Sequence, residues 1–469
     1  MNQANGSDAV LIAPWPTRTR GLSACSISAP FSPDKSLTHR AMMLAAMAEG
    51  QSVIRHPLEG EDCIATREAF SSLGVDITIS DDHGVRCWTV ASPGIDGWRQ
   101  SKTVTHLDLG NSGTSARLLM GLFAGVPGLT VTLTGDDSLR KRPMGRVAEP
   151  LRSMGAEISG ETGGDHLPLT ITGRRLYGRS LTAHVASAQV KSSVLLAAAS
   201  ASGQTMISLP FGARDHTERM LQSLGAQITV SRRFDRESIS MVGPWRPKPF
   251  HYDVPGDPSS AAFFAALAAL HEGVTVHASR LLLNPTRIGF FKILERMGCQ
   301  VNWTPTLGLE QLSAPLGEVM GEAVGDVTIA RRKGQRLMGV HLHGRDIATF
   351  IDEVPILAVV CSAAEGETRI DGLAELRVKE SDRLARILTL LHGAGITARA
   401  DGDSLWIQGG QRPVGFEFKS QDHRMVMSAC ILATTGTAPS RIFGASWIQT
   451  SFPLFLPALQ NINVGLDNI

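Results

Sequence analysis

Two carboxylates in this chain have settings suited to proton transfer. Asp352, in IDEVPILAV, opens an apolar helix with almost no other charge, and Glu380, in VKESDRL, lies between Lys379 and Arg383. In these settings both are expected to stay ionised and to accept protons. A helix cap is the structural reading of Asp352, and a helix-start charge that of Glu380. His423, beside Asp422, is a third titratable candidate, with a hydrogen-bonded structural histidine as its ordinary role. Around these groups, polar and cationic residues recur at turns. They are Lys35, Ser36 and Arg40; Asn111, Arg117, Arg140, Lys141 and Arg142; Ser187, Gln189, Lys191 and Arg214; and Arg424. Arginine forks match phosphate and carboxylate oxygens, so their convergence would suit a ligand with more than one anionic group. In LGNSGTSARLLMG a tight polar turn runs straight into an apolar helix, and Gly113 leaves the first helical N–H groups open to an anion.

Composition narrows the partners. The 469 residues are 43% hydrophobic with a formal net charge of +1, enough for two or three domains with real cores. A near-neutral chain with 5% aromatics lacks the basic excess and stacking groups of a nucleic-acid binder. The six cysteines are scattered without a CxxC pair, which reads as reduced thiols in a cytoplasmic protein with no metal site. No stretch reads as a signal peptide or a membrane span. No Walker motif, GxGxxG fingerprint or Ser–His–Asp order is present, so ATPase, dehydrogenase and hydrolase readings have no anchor.

The elements that must position these residues form a repeat. The pattern of polar turn plus apolar helix occurs six times, from Ser32, Leu109, Ala186, Pro255, Ile351 and Gln421. A β-like run follows each: Gly50 to Ile54, Gly128 to Leu133, Gly203 to Leu209, Gly273 to His277, Gly366 to Ile370 and Arg441 to Phe443. A second helix then closes on glycine in five units, at Gly74, Gly155, Gly225, Gly298 and Gly393, where a left-handed C-terminal residue is expected. The fold expected is α/β: two domains, each of three βαβαβ-type units with buried parallel helices, an inside-out α/β barrel. The proline-rich RPKPFHYDVPGDP breaks both periodicities and suggests a hinge at 251–256. The first three-repeat domain is then 33–250 and the second 257–469, with the later part of segment 1–32 joining the second. Residues Thr304 to Met320 read only as a Pro/Gly/Leu-rich loop. Helix N-termini converging on one face per domain would favour a polyanion between the domains, which would close about the hinge when it binds.

SPDKSLTHR, LGNSGTSAR, RKRPMGR, SAQVKSS, ARDHTE, IDEVPILAV, VKESDRL and DHRMVM occur in this order across the chain from Ser32 onward, and together they resemble the 5-enolpyruvylshikimate-3-phosphate synthases. The resemblance implies transfer of the enolpyruvyl group of phosphoenolpyruvate to the 5-hydroxyl of shikimate 3-phosphate, with no cofactor and no metal. It implies a cytoplasmic monomer of the shikimate pathway whose partners are those two substrates, and a target of glyphosate. It assigns shikimate 3-phosphate to Lys35, Ser36, Arg40, Ser187, Gln189, Arg214, Asp352 and Lys379. Phosphoenolpyruvate falls to Lys35, Gly113, Arg142, Gln189, Arg383 and Arg424. Lys35, Asp352 and Glu380 are the implied catalytic groups. Thr450, in QTSFPLF, and Ala188 depart from one branch, which has Lys and Ser there; a second branch matches better but often has Ala at Gly113. The related UDP-N-acetylglucosamine enolpyruvyl transferases would call for Lys–Asn where Lys35–Ser36 stands and for a reactive Cys in a Gly-rich basic loop.

Overall fold

A helix with no polar face has to be covered on every side. Six such helices start at the repeated turns: α1 (Lys35–Met47), α2 (Gly113–Ala124), α3 (Ala188–Ala198), α4 (Pro258–Leu270), α5 (Val354–Ala363) and α6 (His423–Ala433). In α4 every residue from Pro258 to Ala269 is buried. Five of the six have a side-chain N-cap, from Asp34, Ser112, Ser187, Asp257 and Asp422. For α5 the N-cap residue is Glu353, at the end of the 3-10 turn Ile351–Glu353, and its side chain makes no cap bond. The structure, a computed structural model, describes residues 8–15, 25–29, 31–98, 105–305, 320–462 and 466–468.

The chain divides into two compact units. Unit 1 comprises Met1–Ser32, Gly256–Leu309 and Val324–Ile469; unit 2 comprises Pro33–Pro255 and Glu310–Ala323. Among the described residues each unit holds three four-stranded sheets. Each sheet has one parallel pair at an edge and two antiparallel pairs. In unit 2 α2 packs on α3, and in unit 1 α5 packs on both α4 and α6.

The repeat differs from the expected βαβαβ in one strand. After the second helix comes a hairpin, as in Ile228–Arg233 with Arg236–Gly243, so the unit is strand, helix, strand, helix and two strands. Two of the hairpin turns help to conceal this, because left-handed positions in them are taken by His83 (φ 50) and Phe234 (φ 53), residue types that do not mark a turn. The sixth sheet is completed by the chain ends: Ala9–Ile12 lies between Ser440–Phe443 and Leu466–Asn468. The terminal glycines Gly74, Gly155, Gly225 and Gly298 are left-handed as expected. In the fifth unit Gly393 stays helical and Gly395 takes that role. Part of the expected hinge is sheet, since His251–Asp253 pairs in parallel with Val53–Arg55 in unit 2. Most of the loop read over Thr304 to Met320, namely 306–319, lies outside the described residues.

One buried histidine makes stability depend on pH. His271, which ends α4, bonds Thr434 Oγ1 through Nε2 at 2.9 Å, and burial lowers its pKa from 6.5 to about 4. A folded-state pKa below the unfolded one means that the unfolded chain takes up the proton first. Stability present above pH 6.5 is therefore lost on acidification to about pH 4, by as much as about 3 kcal/mol for this residue. His271→Gln should flatten that part of the unfolding-versus-pH profile of unit 1; an unaltered slope would remove His271 as its source.

Candidate functional site

Each unit gathers candidate site residues at the N-terminal ends of its buried helices. In unit 2, Lys35 is the first residue of α1, and its Nζ forms an ion pair with Asp62 on the neighbouring helix Glu61–Ser72. The carboxylate is buried and the lysine mostly so, which fixes the amine's position. A chain of buried polar groups ties this corner together: His39 Nδ1 meets Thr66 Oγ1 at 2.7 Å, Thr66 meets Ser115 Oγ at 2.6 Å, and Ser115 meets Ser112 Oγ at 2.6 Å. Burial, with Lys35 and then Arg40 nearby, holds the His39 pKa well below its ordinary value, so the ring is neutral. The chain links His39 on α1 to Ser112, the residue that caps α2 just before Gly113.

Arg40 is buried inside unit 2. Its Nε donates to Thr217 Oγ1 at 2.7 Å, Nη2 to Ser192 Oγ at 2.9 Å and Nη1 to the Ser36 carbonyl at 2.9 Å. Burial pulls its pKa down to about 10; Glu218 and Asp34 oppose the shift and Arg214 adds to it. A pKa of about 10 leaves the guanidinium charged at neutral pH, and Arg214 is close enough to repel it. Two cations near enough to influence each other suit a bound dianion.

The second cluster of unit 2 surrounds Gly113. Arg142 donates to the Asn111 carbonyl at 3.2 Å, to Asn111 Oδ1 and to Ser138 Oγ at 3.3 Å. Arg117 donates to Gln189 Oε1 at 2.6 Å, and Gln189 donates to Thr114 Oγ1 at 3.1 Å. A methyl placed on Gly113 would lie 3.0 Å from Arg142 Nη1 and 3.3 Å from Arg117 Nη1. Ser112, not Asn111, caps α2, and Asn111 instead orients Arg142. Ser187 caps α3, with Gln189 in its first turn.

Lys191 does not face a ligand. Its side chain is fully buried between Glu218 at 2.6 Å and Glu237 at 2.9 Å, and these carboxylates raise its pKa although burial opposes the charge.

In unit 1 one guanidinium organises the candidate site residues. Arg383, 1% exposed, contacts Asp422 Oδ2 at 2.8 Å, Glu380 Oε2 at 2.5 Å and Asp352 Oδ1 at 3.3 Å. Burial opposes its charge, yet the three carboxylates raise its pKa far above the usual arginine value. Lys379 Nζ is 3.2 Å from the same Asp352 oxygen, and Arg424 donates to the Asp352 carbonyl at 3.1 Å and to Glu353 Oε1 at 3.2 Å. Asp422 caps α6 through Arg424 N at 3.0 Å and also accepts from Ser381 Oγ at 3.0 Å. Burial would raise the Asp422 pKa, but Arg383 lowers it on balance. Thus Asp352, Lys379, Glu380, Arg383 and Arg424 form one network. His423 is buried at the first position of α6.

Sequence reading missed the groups that hold the cations: Asp62 for Lys35, and Thr217 with Ser192 for Arg40. Asp62 sits behind Gly60 in an acidic helix start, a signal that reads as dipole compensation. Thr217 lies within ARDHTE but faces a residue 177 positions away, a pairing visible only once folded.

The chain is similar to known proteins over nearly its whole length. The family model of EPSP synthase (3-phosphoshikimate 1-carboxyvinyltransferase) matches residues 27–459. A 3-phosphoshikimate 1-carboxyvinyltransferase of Sulfurihydrogenibium sp. (strain YO3AOP1) is 40% identical over 92% of this chain and 95% of its own. That of Synechococcus sp. (strain JA-3-3Ab) is 40% identical over 98% of both. An EPSP synthase structure from Acinetobacter baumannii superposes with a TM-score of 0.81 at 36% identity, covering 98% of this chain and 99% of that one. With 36–40% identity spread over nearly the full length of each protein, the chain belongs to the EPSP synthase (3-phosphoshikimate 1-carboxyvinyltransferase) family.

Proposed function

We propose that Asp352, Glu380 and Lys35 carry out the enolpyruvyl transfer of this family, from phosphoenolpyruvate to the 5-hydroxyl of shikimate 3-phosphate. The observation that carries the reading is the Arg383 network, in which two carboxylates, Asp352 and Glu380, are held beside three cations, Lys379, Arg383 and Arg424. Asp352 takes the proton of the 5-hydroxyl as that oxygen bonds to C2 of phosphoenolpyruvate. Lys35 as its ammonium, or Glu380 once it has taken up a proton, supplies a proton to C3, giving a tetrahedral intermediate, and the same group then removes one as the C2–O bond to phosphate breaks and the double bond returns. Lys35, held beside Asp62, counters the charge on the donor and shares in this proton exchange.

Ser36, Arg40, Ser187, Gln189, Arg214 and Lys379 hold the acceptor with Lys35 and Asp352. Gly113, Arg142, Gln189, Arg383 and Arg424 hold the donor with Lys35. No metal or cofactor enters this scheme. We read each unit as an inside-out α/β barrel with its inner helices parallel, and the protein as a cytoplasmic monomer; support for the first is the burial of the helices and their shared capped ends. The test is phosphate release from phosphoenolpyruvate. Release that requires shikimate 3-phosphate is expected, and none, or release indifferent to the acceptor, would refute the reading.

Gly113 separates donor from acceptor. The methyl of Gly113→Ala displaces the guanidinium ends of Arg142 and Arg117, so the expected loss of donor binding comes through these arginines as well as by direct crowding. That loss should be about 1 to 3 kcal/mol, with acceptor binding hardly changed. Glyphosate should inhibit the native protein, and Gly113→Ala should weaken glyphosate more than phosphoenolpyruvate. Inhibition curves at matched donor saturation check this, and a loss confined to the acceptor would move Gly113 out of the donor site.

A further inference from the structure

The helix His216–Ser223 in unit 2 begins with the ARDHTE motif, and its start sets two of the acceptor cations. Arg214 immediately precedes it, and Thr217 Oγ1 receives Arg40 Nε at 2.7 Å and meets Ser192 Oγ at 2.6 Å. Yet the N-cap residue Asp215 makes no side-chain cap bond; its carboxylate pairs with Arg219 Nε at 2.9 Å. The helix start is held instead by residues from far along the chain. Glu322 Oε1 lies 2.6 Å from His216 Nδ1, with the two side chains 0% and 1% exposed. Arg219 Nη1 donates to the Gly321 carbonyl at 3.0 Å.

These residues do not belong to the repeats of unit 2. They follow the strand Gln300–Pro305 and precede Val324–Ala330, two strands of a unit 1 hairpin, yet Met320–Ala323 fall within unit 2. The backbone there is unusual: Gly321 is left-handed at φ +74, a methyl on it would lie 3.2 Å from the Arg219 carbonyl, and Met320, not a glycine, has φ 48. A left-handed methionine is strained, and the contacts around Glu322 must outweigh that strain. Asp215, His216 and Glu322 place ligand atoms within 4.8 Å of one another, but Arg219 already brings a positive charge to both carboxylates, at 2.9 Å from Asp215 and 4.0 Å from Glu322. The group is a clamp.

We propose that Glu322 is a positioning residue for the acceptor half-site: by holding His216 it sets the start of helix His216–Ser223, and with it Arg214 and the Thr217 hydroxyl that orients Arg40. The inference rests on the assignment of Arg40 and Arg214 to shikimate 3-phosphate. Glu322→Ala in the full chain removes the clamp, and Glu322→Gln retains an acceptor for His216. Binding of shikimate 3-phosphate by calorimetry and its KM should weaken roughly tenfold in the first and by about threefold or less in the second. Turnover, and KM for phosphoenolpyruvate at saturating acceptor, should change less than about twofold. If Glu322→Ala does not fold, Arg219→Gln, which cuts the tie to Gly321 at a partly exposed side chain, should still raise the acceptor KM several-fold. Arg214→Ala is the control. If it loses acceptor affinity while the Glu322 and Arg219 variants do not, or if those variants lose both substrates equally, the clamp is refuted and the site assignment stands. Unchanged acceptor binding in Arg214→Ala would refute the assignment and the inference together.

Discussion

Replacing Glu380 by Gln should lower turnover by roughly two to four orders of magnitude with little change in the affinity of either substrate. The substitution keeps the side-chain shape and one oxygen to face Arg383 Nη2, which Glu380 contacts at 2.5 Å. What it removes is the ability to take up and return a proton at C3 of phosphoenolpyruvate. Single-turnover kinetics are the measurement, because they separate the chemical step from product release. Wild-type turnover in Glu380→Gln would exclude Glu380 from proton exchange and leave Lys35, paired with Asp62, to perform it.

The second large effect concerns stability. Arg383→Met should destabilise unit 1 by about 3 to 5 kcal/mol at neutral pH, the usual cost of leaving buried charges without their partner. Asp422 is 0% exposed and would lose its counter-charge, and Asp352 and Glu380 would lose the cation they share. The pH dependence identifies the cause. In the native protein the Asp422 pKa lies below its ordinary value, so its contribution is present above the unfolded pKa near 4 and is lost as pH falls through the folded one. In the variant burial acts without Arg383 and raises the Asp422 pKa, so that acid neutralises the stranded carboxylate. The deficit should therefore be largest near pH 7.5 and shrink toward pH 4.5. Amide exchange in α5 and α6 at the two pH values measures it locally. A deficit independent of pH would mean that lost packing, not stranded charge, is responsible.

Much of this protein can be read from its residues without coordinates. Apolar runs such as Pro258 to Leu270 have no side to turn toward water, so their burial follows from composition alone. The capping residues Asp34, Ser112, Ser187, Asp257 and Asp422 are local signals, because each bonds a backbone N–H two or three positions ahead. The clustering of Glu380 with Arg383 is local too, three residues apart on one turn.

Tertiary structure decided what depends on distant pairings. A central strand of the sixth sheet comes from Ala9–Ile12, more than 400 residues from its partner Ser440–Phe443, and four mostly buried apolar residues carry no record of that partner. Whether a charged residue faces a ligand or another charge was equally undetermined. Lys191, the fourth residue of α3, lies between Glu218 and Glu237, while Lys35, the first residue of α1, meets Asp62. The difference lies in which carboxylates the fold brings within about 3 Å, since a charge is held by neighbours in space and its own sequence context specifies only that it is a charge. Glu322 is the extreme case. Its contact with His216, 106 residues away, exists only because Met320–Ala323, just before a strand of unit 1, fold as part of unit 2.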